Sequence, residues 1–298
     1  MSIGSLSMGL GSEFAHREKA RLIAIGGETL YPSFREAIMR YYREHSISWW
    51  GGSEGPTDNP ISSQVACINH LEPARLHRGI ALELARKHVA DAIDVLPIEG
   101  GFLAYEWIGN RSYLAERGWS SKSRGRNITS VDALMSVKRT NGRVCLIIIE
   151  WKFTECYSGV SLAVSKKGTP RTEIYSPLLE HPDCPIQRGK HERLFFDPYD
   201  QLMRQTLLAW QMVEHGEFGA TEWIHLHVAP KSNFRLLRSV TSPDLAPFGT
   251  MERAWRSVLV NPERYRLASP NAVLPPVGIS EQTDAWLAWM GVRYGVND

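Results

Sequence analysis

The stretch TSVDALMSVKRTNGRVCLIIIEWKF, residues 129–153, decides the fold. It begins with alternation. Val131, Ala133, Met135 and Val137 fall on one side, and Ser130, Asp132, Leu134 and Ser136 on the other, which is the period of a β-strand. Asn141–Gly142 then marks a tight turn. Val144 to Phe153 follows as the most apolar strand in the chain, and its unbroken run Leu146–Ile149 predicts burial on both faces. The run stops at Glu150, with Lys152 two residues on, so both charges leave the same face of the strand. Charge at the end of a core strand is costly unless it is paired or holds a metal.

Register decides what those charges meet. With a two-residue loop, Thr140 pairs with Arg143 and Asp132 falls opposite Trp151, on the wrong face. With a three-residue loop, Thr140–Gly142, Asp132 falls opposite Glu150. Such a loop is a type I turn whose last residue is left-handed, a conformation that Gly142 tolerates. The three-residue loop is the expectation, because an odd shift is needed to bring the two acids together. Neighbouring carboxylates repel. A divalent cation removes the repulsion, and carboxylate oxygens suit Mg²⁺. Lys152 then adds a positive charge beside it.

Outward from this hairpin, Arg78–Leu96 has helical apolar spacing, and Pro97 with Gly100–Gly101 ends it. Phe102–Ile108 is a candidate strand. Residues 157–196 read as irregular; Asp197 as N-cap and Pro198 at the first position predict a helix to about His215, closed by Gly216. Trp223–Val228 is a further strand, and the chain from about Asp244 reads as tryptophan-rich helices. Upstream, residues 29–46 fit a helix and 49–60 a turn-rich loop. The order is helix, three strands, helix, strand: an α/β (α+β) domain with a mixed sheet flanked by helices. Residues 1–20 read as a loose leader, and 21–298 as one domain with a core at about 76–230 and a helical extension at about 244–298.

Composition narrows the function. Thirty-four basic against 32 acidic side chains leave a net charge of +2, so nucleic-acid binding must come from local patches rather than the whole surface. Cys67, Cys145, Cys156 and Cys184 form no CxxC pair, which suits reduced thiols in the cytoplasm. No apolar segment is long enough to predict a membrane span.

An Asp followed by Glu-x-Lys at the end of an apolar strand resembles the PD-(D/E)XK nuclease superfamily, here as SVDA (Ser130–Ala133) and IEWK (Ile149–Lys152). SSQVACIN (Ser62–Asn69), AYEW (Ala104–Trp107), YDQLMRQTLLA (Tyr199–Ala209) and WLAWMGVRY (Trp286–Tyr294) resemble, more specifically, a restriction-endonuclease-like group of bacterial proteins. The proline of the superfamily's name is absent, Val131 standing before Asp132. The resemblance implies an αβββαβ core and hydrolysis of phosphodiester bonds, of DNA in the first place. It further implies Mg²⁺, with Mn²⁺ as a substitute, held by Asp132, Glu150 and the Trp151 carbonyl. Lys152 would position water or stabilise developing charge. A homodimer would cut both strands.

Other residues carry two readings. Glu106 is a further acidic ligand, an orienter of Lys152, or an exposed carboxylate. Glu155 and Gln205 are auxiliary to the site, or a cap and a solvated face. The basic loop with Arg117, Lys122, Arg124 and Arg126 grips phosphates or is simply solvated. His225 and His227 share a strand face without an evident third zinc ligand. Trp49–Trp50 is the aromatic pair to test for base stacking. The alternatives to a nuclease are a nucleic-acid-binding module on the same fold and a hydrolase of another small phosphoester.

Overall fold

In the computed structural model, which describes residues 6–51, 54–116, 124, 128–165 and 168–295, the hairpin has the three-residue loop. Strand β3 (Val131–Arg139) pairs antiparallel with β4 (Val144–Trp151), from Lys138 opposite Val144 to Ala133 opposite Ile149. Arg139 N–H donates to the Arg143 carbonyl at 2.9 Å and Gly142 N–H to the Arg139 carbonyl at 3.0 Å. Gly142 takes φ 80°, the left-handed conformation the loop requires. One step beyond Ala133 and Ile149, this register sets Asp132 opposite Glu150.

The sheet has six strands. Besides the hairpin they are β1 (Ala92–Leu96), β2 (Ala104–Trp107), β5 (Glu222–Val228) and β6 (Tyr265–Ala268). β1 pairs with Ser136–Arg139 and β2 with Val131–Leu134, so the two share the outer edge of β3. β4, β5 and β6 run parallel. The mixed sheet is of the α+β class.

Both faces are covered, which explains the run Leu146–Ile149. Ile147 and Ile149 enter one core, with residues of α2 (Arg35–Glu44), α3 (Ser63–Leu76) and α4 (Arg78–His88). Leu146 and Ile148 enter the other, against α6 (Tyr199–Glu214). All four are fully buried. At about 25 cal/mol per Å² of apolar surface, a strand buried on both sides is among the strongest anchors a sheet can have.

Several sequence expectations need correction. The helix read as Arg78–Leu96 ends at His88, and Ala92–Leu96 is β1. Ile93 and Val95 are β-branched residues suited to a strand, and the outer edge of β3 pairs with Ala92 and with Asp94–Leu96, the register shifting at Ile93. The stretch 157–196 contains α5 (Arg171–Leu179), and the C-terminal region contains β6 beside the short α7 (Phe234–Arg238) and α8 (Met251–Arg256) and the longer α9 (Glu281–Tyr294). Asp197 is not the cap of α6: Pro198 holds that position and no side chain caps the helix. The leader is no loose segment either. It forms most of α1 (Leu6–Ile25), whose Leu22 is buried and whose Arg21 donates to the carbonyls of Val292 and Arg293 at the end of α9. The expected order survives as α4, β2, β3, β4, α6, β5, with β1 inserted and β6 added.

Candidate active site

Four side chains stand at one level across four strands. The β2–β3 register sets Glu106 opposite Asp132, the β3–β4 register sets Asp132 opposite Glu150, and Glu150 pairs with His227 on β5. The regular pleat fails at this level. Tyr105 and Ala133 pack in the α3 core, yet Trp107 and Val131, two residues on, pack in the α6 core. Alternation would put each pair on one face. β2 and β3 therefore turn over together at Glu106 and Asp132, and Glu106 takes φ 48°, a conformation uncommon outside glycine. Strain of this kind costs about 1–3 kcal/mol and gathers at functional sites.

The turn-over changes what Asp132 does. Its Oδ2 accepts from the Trp151 main-chain N–H at 2.6 Å, a donor that an uninterrupted ladder would give to the β3 backbone. Its carboxylate thus lies at the gap between β3 and β4. Trp151 itself packs its ring on His70 in the α3 core, with centroids 4.6 Å apart. In extended chain the C=O of a residue leaves the same strand edge as its N–H, so the Trp151 carbonyl shares the edge at which Asp132 bonds.

Glu150 is buried beneath, 1% exposed. One oxygen accepts from the Gln205 side-chain amide of α6, and the other is ion-paired with the Lys152 ammonium. Gln205 also donates to the Ser130 carbonyl at 3.0 Å, which ties α6 to the start of β3. Lys152 is buried and donates to Gln201 Oε1 at 2.8 Å. Glu106 accepts from Ser130 Oγ at 2.6 Å and from Gln64 Nε2 at 3.1 Å.

The electrostatics follow from burial and proximity. Burial, then Glu150 and Glu106, raise the Asp132 carboxyl well above the ordinary aspartate range. Burial raises Glu106 as well, against its hydrogen bonds from Ser130 and Gln64, and Glu150 adds to the rise. Burial pulls Lys152 down, but Glu150, with Tyr157, Glu155 and Asp132, outweighs it, and the ammonium is held above the usual lysine range. One ammonium therefore sits beside two carboxyl groups, Asp132 and Glu106, whose charged forms burial and neighbouring acids disfavour.

Glu106, Asp132 and Lys152 open into a cleft of about 520 Å³ that Gln64, Tyr157 and Gln201 also line, with Glu150 and Gln205 buried beneath it. The donor set fits a hard divalent cation: carboxylate and amide oxygens rather than sulfur. Gln205 Oε1 is buried with no hydrogen-bond partner, and Glu150 Oε1 has only the ammonium. Among the described residues no three His, Cys, Asp or Glu side chains converge on one point.

The structure thus brings together Asp132, Glu150, Lys152, Trp151, Glu106 and Gln205, all named from sequence. Glu155 serves the loop after β4, accepting from Phe153 N–H at 2.7 Å and from Ser63. Arg124 departs from the phosphate-gripping expectation. Its guanidinium is paired with Glu99 and stacked on the Trp107 ring at 4.6 Å, so its charge is committed inward. Arg117, Lys122 and Arg126 lie outside the described residues. His225 and His227 are buried, bonded to Thr206 at 3.1 Å and Tyr265 at 2.8 Å. Of the tryptophan pair, Trp49 is stacked on Tyr42 at 4.0 Å while Trp50 is 65% exposed at the cleft rim. Sequence reasoning missed Gln64 and Gln201. Gln64 lies in SSQVACIN and Gln201 in YDQLMRQTLLA, and a polar residue inside a helix that packs on the charged end of β4 was the available signal.

No curated protein and no solved structure gives a significant match to the chain. A family model described as restriction endonuclease associating with ARP does match it, over residues 12–295. The chain therefore belongs to this restriction-endonuclease-like family.

Proposed function

We propose that the protein is a Mg²⁺-dependent endonuclease that hydrolyses phosphodiester bonds of DNA, with Mn²⁺ able to substitute. The observation that carries this reading is that Asp132 and Lys152 line one cleft together with Glu106, while Glu150 lies buried beneath it, ion-paired with Lys152, in the register that sets it opposite Asp132. Membership of a restriction-endonuclease family supports nuclease activity in general.

Asp132 and Glu150, with the Trp151 carbonyl, would hold the cation. When bound, such a cation neutralises charge on a phosphate and makes a water more acidic. The protein's own groups do the rest. Lys152 presents its ammonium to the cleft, where it orients a water or meets the negative charge that develops on the phosphate. Gln201 fixes that ammonium and Gln205 fixes Glu150. Gln64 and Ser130 each donate to one oxygen of Glu106 and hold it beside the site. Cutting both strands requires two such sites, as in a homodimer, or two encounters. The four cysteines are free, in keeping with a reducing cytoplasm.

Incubation of plasmid with Mg²⁺ or Mn²⁺, beside a Glu150→Ala control, tests this. Cleavage by the wild type alone is expected. Intact plasmid with both proteins, across DNA and RNA substrates, would leave a binding module. Hydrolysis of a nitrophenyl phosphate without nucleic-acid cleavage would indicate a small-phosphoester hydrolase.

A further inference from the structure

A second, larger cleft of about 900 Å³ adjoins the first, and Tyr157 lines both. Its walls come from α1, from the loop after β4 and from α7 with the residues that follow it. Arg17, Arg235 and Arg238 line it beside one carboxylate, Glu13, and Arg17 also lies 4.0 Å from Glu18. Phe234, at the start of α7, is 59% exposed there, and the Arg238 guanidinium lies 4.9 Å from the centre of its ring. Exposing so much of a phenyl ring to water has no benefit for folding.

The placement of Phe234 is firm. Asn233, the residue before it, is buried and donates to the carbonyls of Phe153 at 3.1 Å and Glu155 at 2.9 Å. The same Asn233 caps α7 by accepting from Leu236 N–H at 3.2 Å. Phe234 and Arg238 are therefore fixed to the segment that leaves β4 directly after Lys152.

We propose that this cleft holds a single-stranded stretch of the nucleic acid that flanks the bond over Asp132 and Glu150, with a base on Phe234 and phosphates on Arg17 and Arg238. The substrate class rests on the nuclease reading. Cations beside an exposed aromatic ring are the combination that binds single strands without sequence preference. A duplex keeps its bases stacked inside and could offer Phe234 only its backbone. Continuity with the acidic cleft through Tyr157 gives the strand a path. Trp50, exposed at the acidic cleft that Tyr157 also lines, offers a second ring to the same strand.

The test measures fluorescence anisotropy of a fluorescein-labelled oligothymidine with the full-length protein in EDTA, so that binding is read without cleavage. Phe234 and Arg238 are both exposed, so Phe234→Ala and Arg238→Ala should leave the fold intact. Phe234→Ala is expected to weaken single-strand binding by about tenfold or more, the scale of one base–aromatic stack. Arg238→Ala should make the slope of log K against log salt shallower by about 0.7, the value for one phosphate contact to a single strand. A duplex of the same length should be insensitive to Phe234→Ala. Wild-type protein that does not bind the oligonucleotide, or variants that bind as the wild type does, would overturn the proposal. Equal loss of duplex binding in Phe234→Ala would overturn its single-strand character. The two readings fail separately. Plasmid cut in a Glu150-dependent way, with binding unchanged by either substitution, removes the cleft assignment alone. Uncut plasmid with Phe234-dependent binding removes the nuclease alone.

Discussion

Glu150 shows how much a single residue depends on its neighbours. A carboxylate this deeply buried is tolerated only with compensation, which Lys152 and Gln205 provide. Removing either charge of the Glu150–Lys152 pair should therefore affect both chemistry and stability. Glu150→Gln and Asp132→Asn are each expected to lower plasmid cleavage at least about 10²-fold, and Lys152→Met by about 10²–10³-fold. Circular dichroism should stay near wild type, while the denaturation midpoint should fall for Lys152→Met and Glu150→Gln, each of which leaves its buried partner unpaired; a folded variant that no longer cuts separates lost chemistry from lost structure. Gln205→Ala should lower cleavage less, about tenfold, because it leaves the acid present but less well oriented. The acids and the lysine were legible in sequence because strand periodicity fixes which side chains share a face. Gln64 and Gln201 were not, since helices from distant parts of the chain carry them to the site, and no local pattern encodes that meeting.

At the scale of elements, the hairpin loop sets the site. A one-residue change of loop length would move Asp132 away from Glu150. Gly142 is what allows three residues there: φ 80° is costly for any residue with a Cβ, though a Cβ would meet nothing within 4 Å. Gly142→Ala should thus cost about 1–2 kcal/mol in urea denaturation, from backbone conformation alone. An unchanged midpoint would mean that the turn relaxes freely and does not fix register. The same register was deduced from sequence by requiring the acids to meet. The misreading of residues 89–96 has a different origin. Val89, Ile93 and Leu96 satisfy helical spacing, but the open outer edge of β3, which no local periodicity reveals, claims Ala92–Leu96 as a strand. Likewise α5 and β6 are short elements that owe their place to packing rather than to a strong pattern.

At the scale of the whole molecule, a sheet covered on both faces buries polar groups in numbers, and their titration shapes stability. Burial lowers the imidazoles of His70 and His225 to about 3. Unfolded, they titrate near 6.5. Between these values the unfolded chain binds more protons, so each histidine's contribution is lost as pH falls below about 6.5. The buried acids Glu72, Glu106 and Asp132 have raised pKa values and act in the opposite sense, so a difference measurement is needed. Relative to wild type, His70→Phe should gain stability by about 1.4 kcal/mol for each pH unit lowered between pH 6 and 4. A constant difference across that range would show that His70 is not held neutral. The overall architecture was legible because long apolar strands and amphipathic helices dominate it; the part played by α1 was not, since its docking depends on the far end of the chain at α9.

Whether two carboxylates from adjacent strands share one ion can be observed by anomalous scattering from crystals soaked in Mn²⁺. The expected result is a manganese peak between Asp132 and Glu150, beside the Trp151 carbonyl, that disappears in Glu150→Gln together with cleavage. A peak elsewhere, with plasmid still cut by Asp132→Asn and Glu150→Gln, would contradict the assignment.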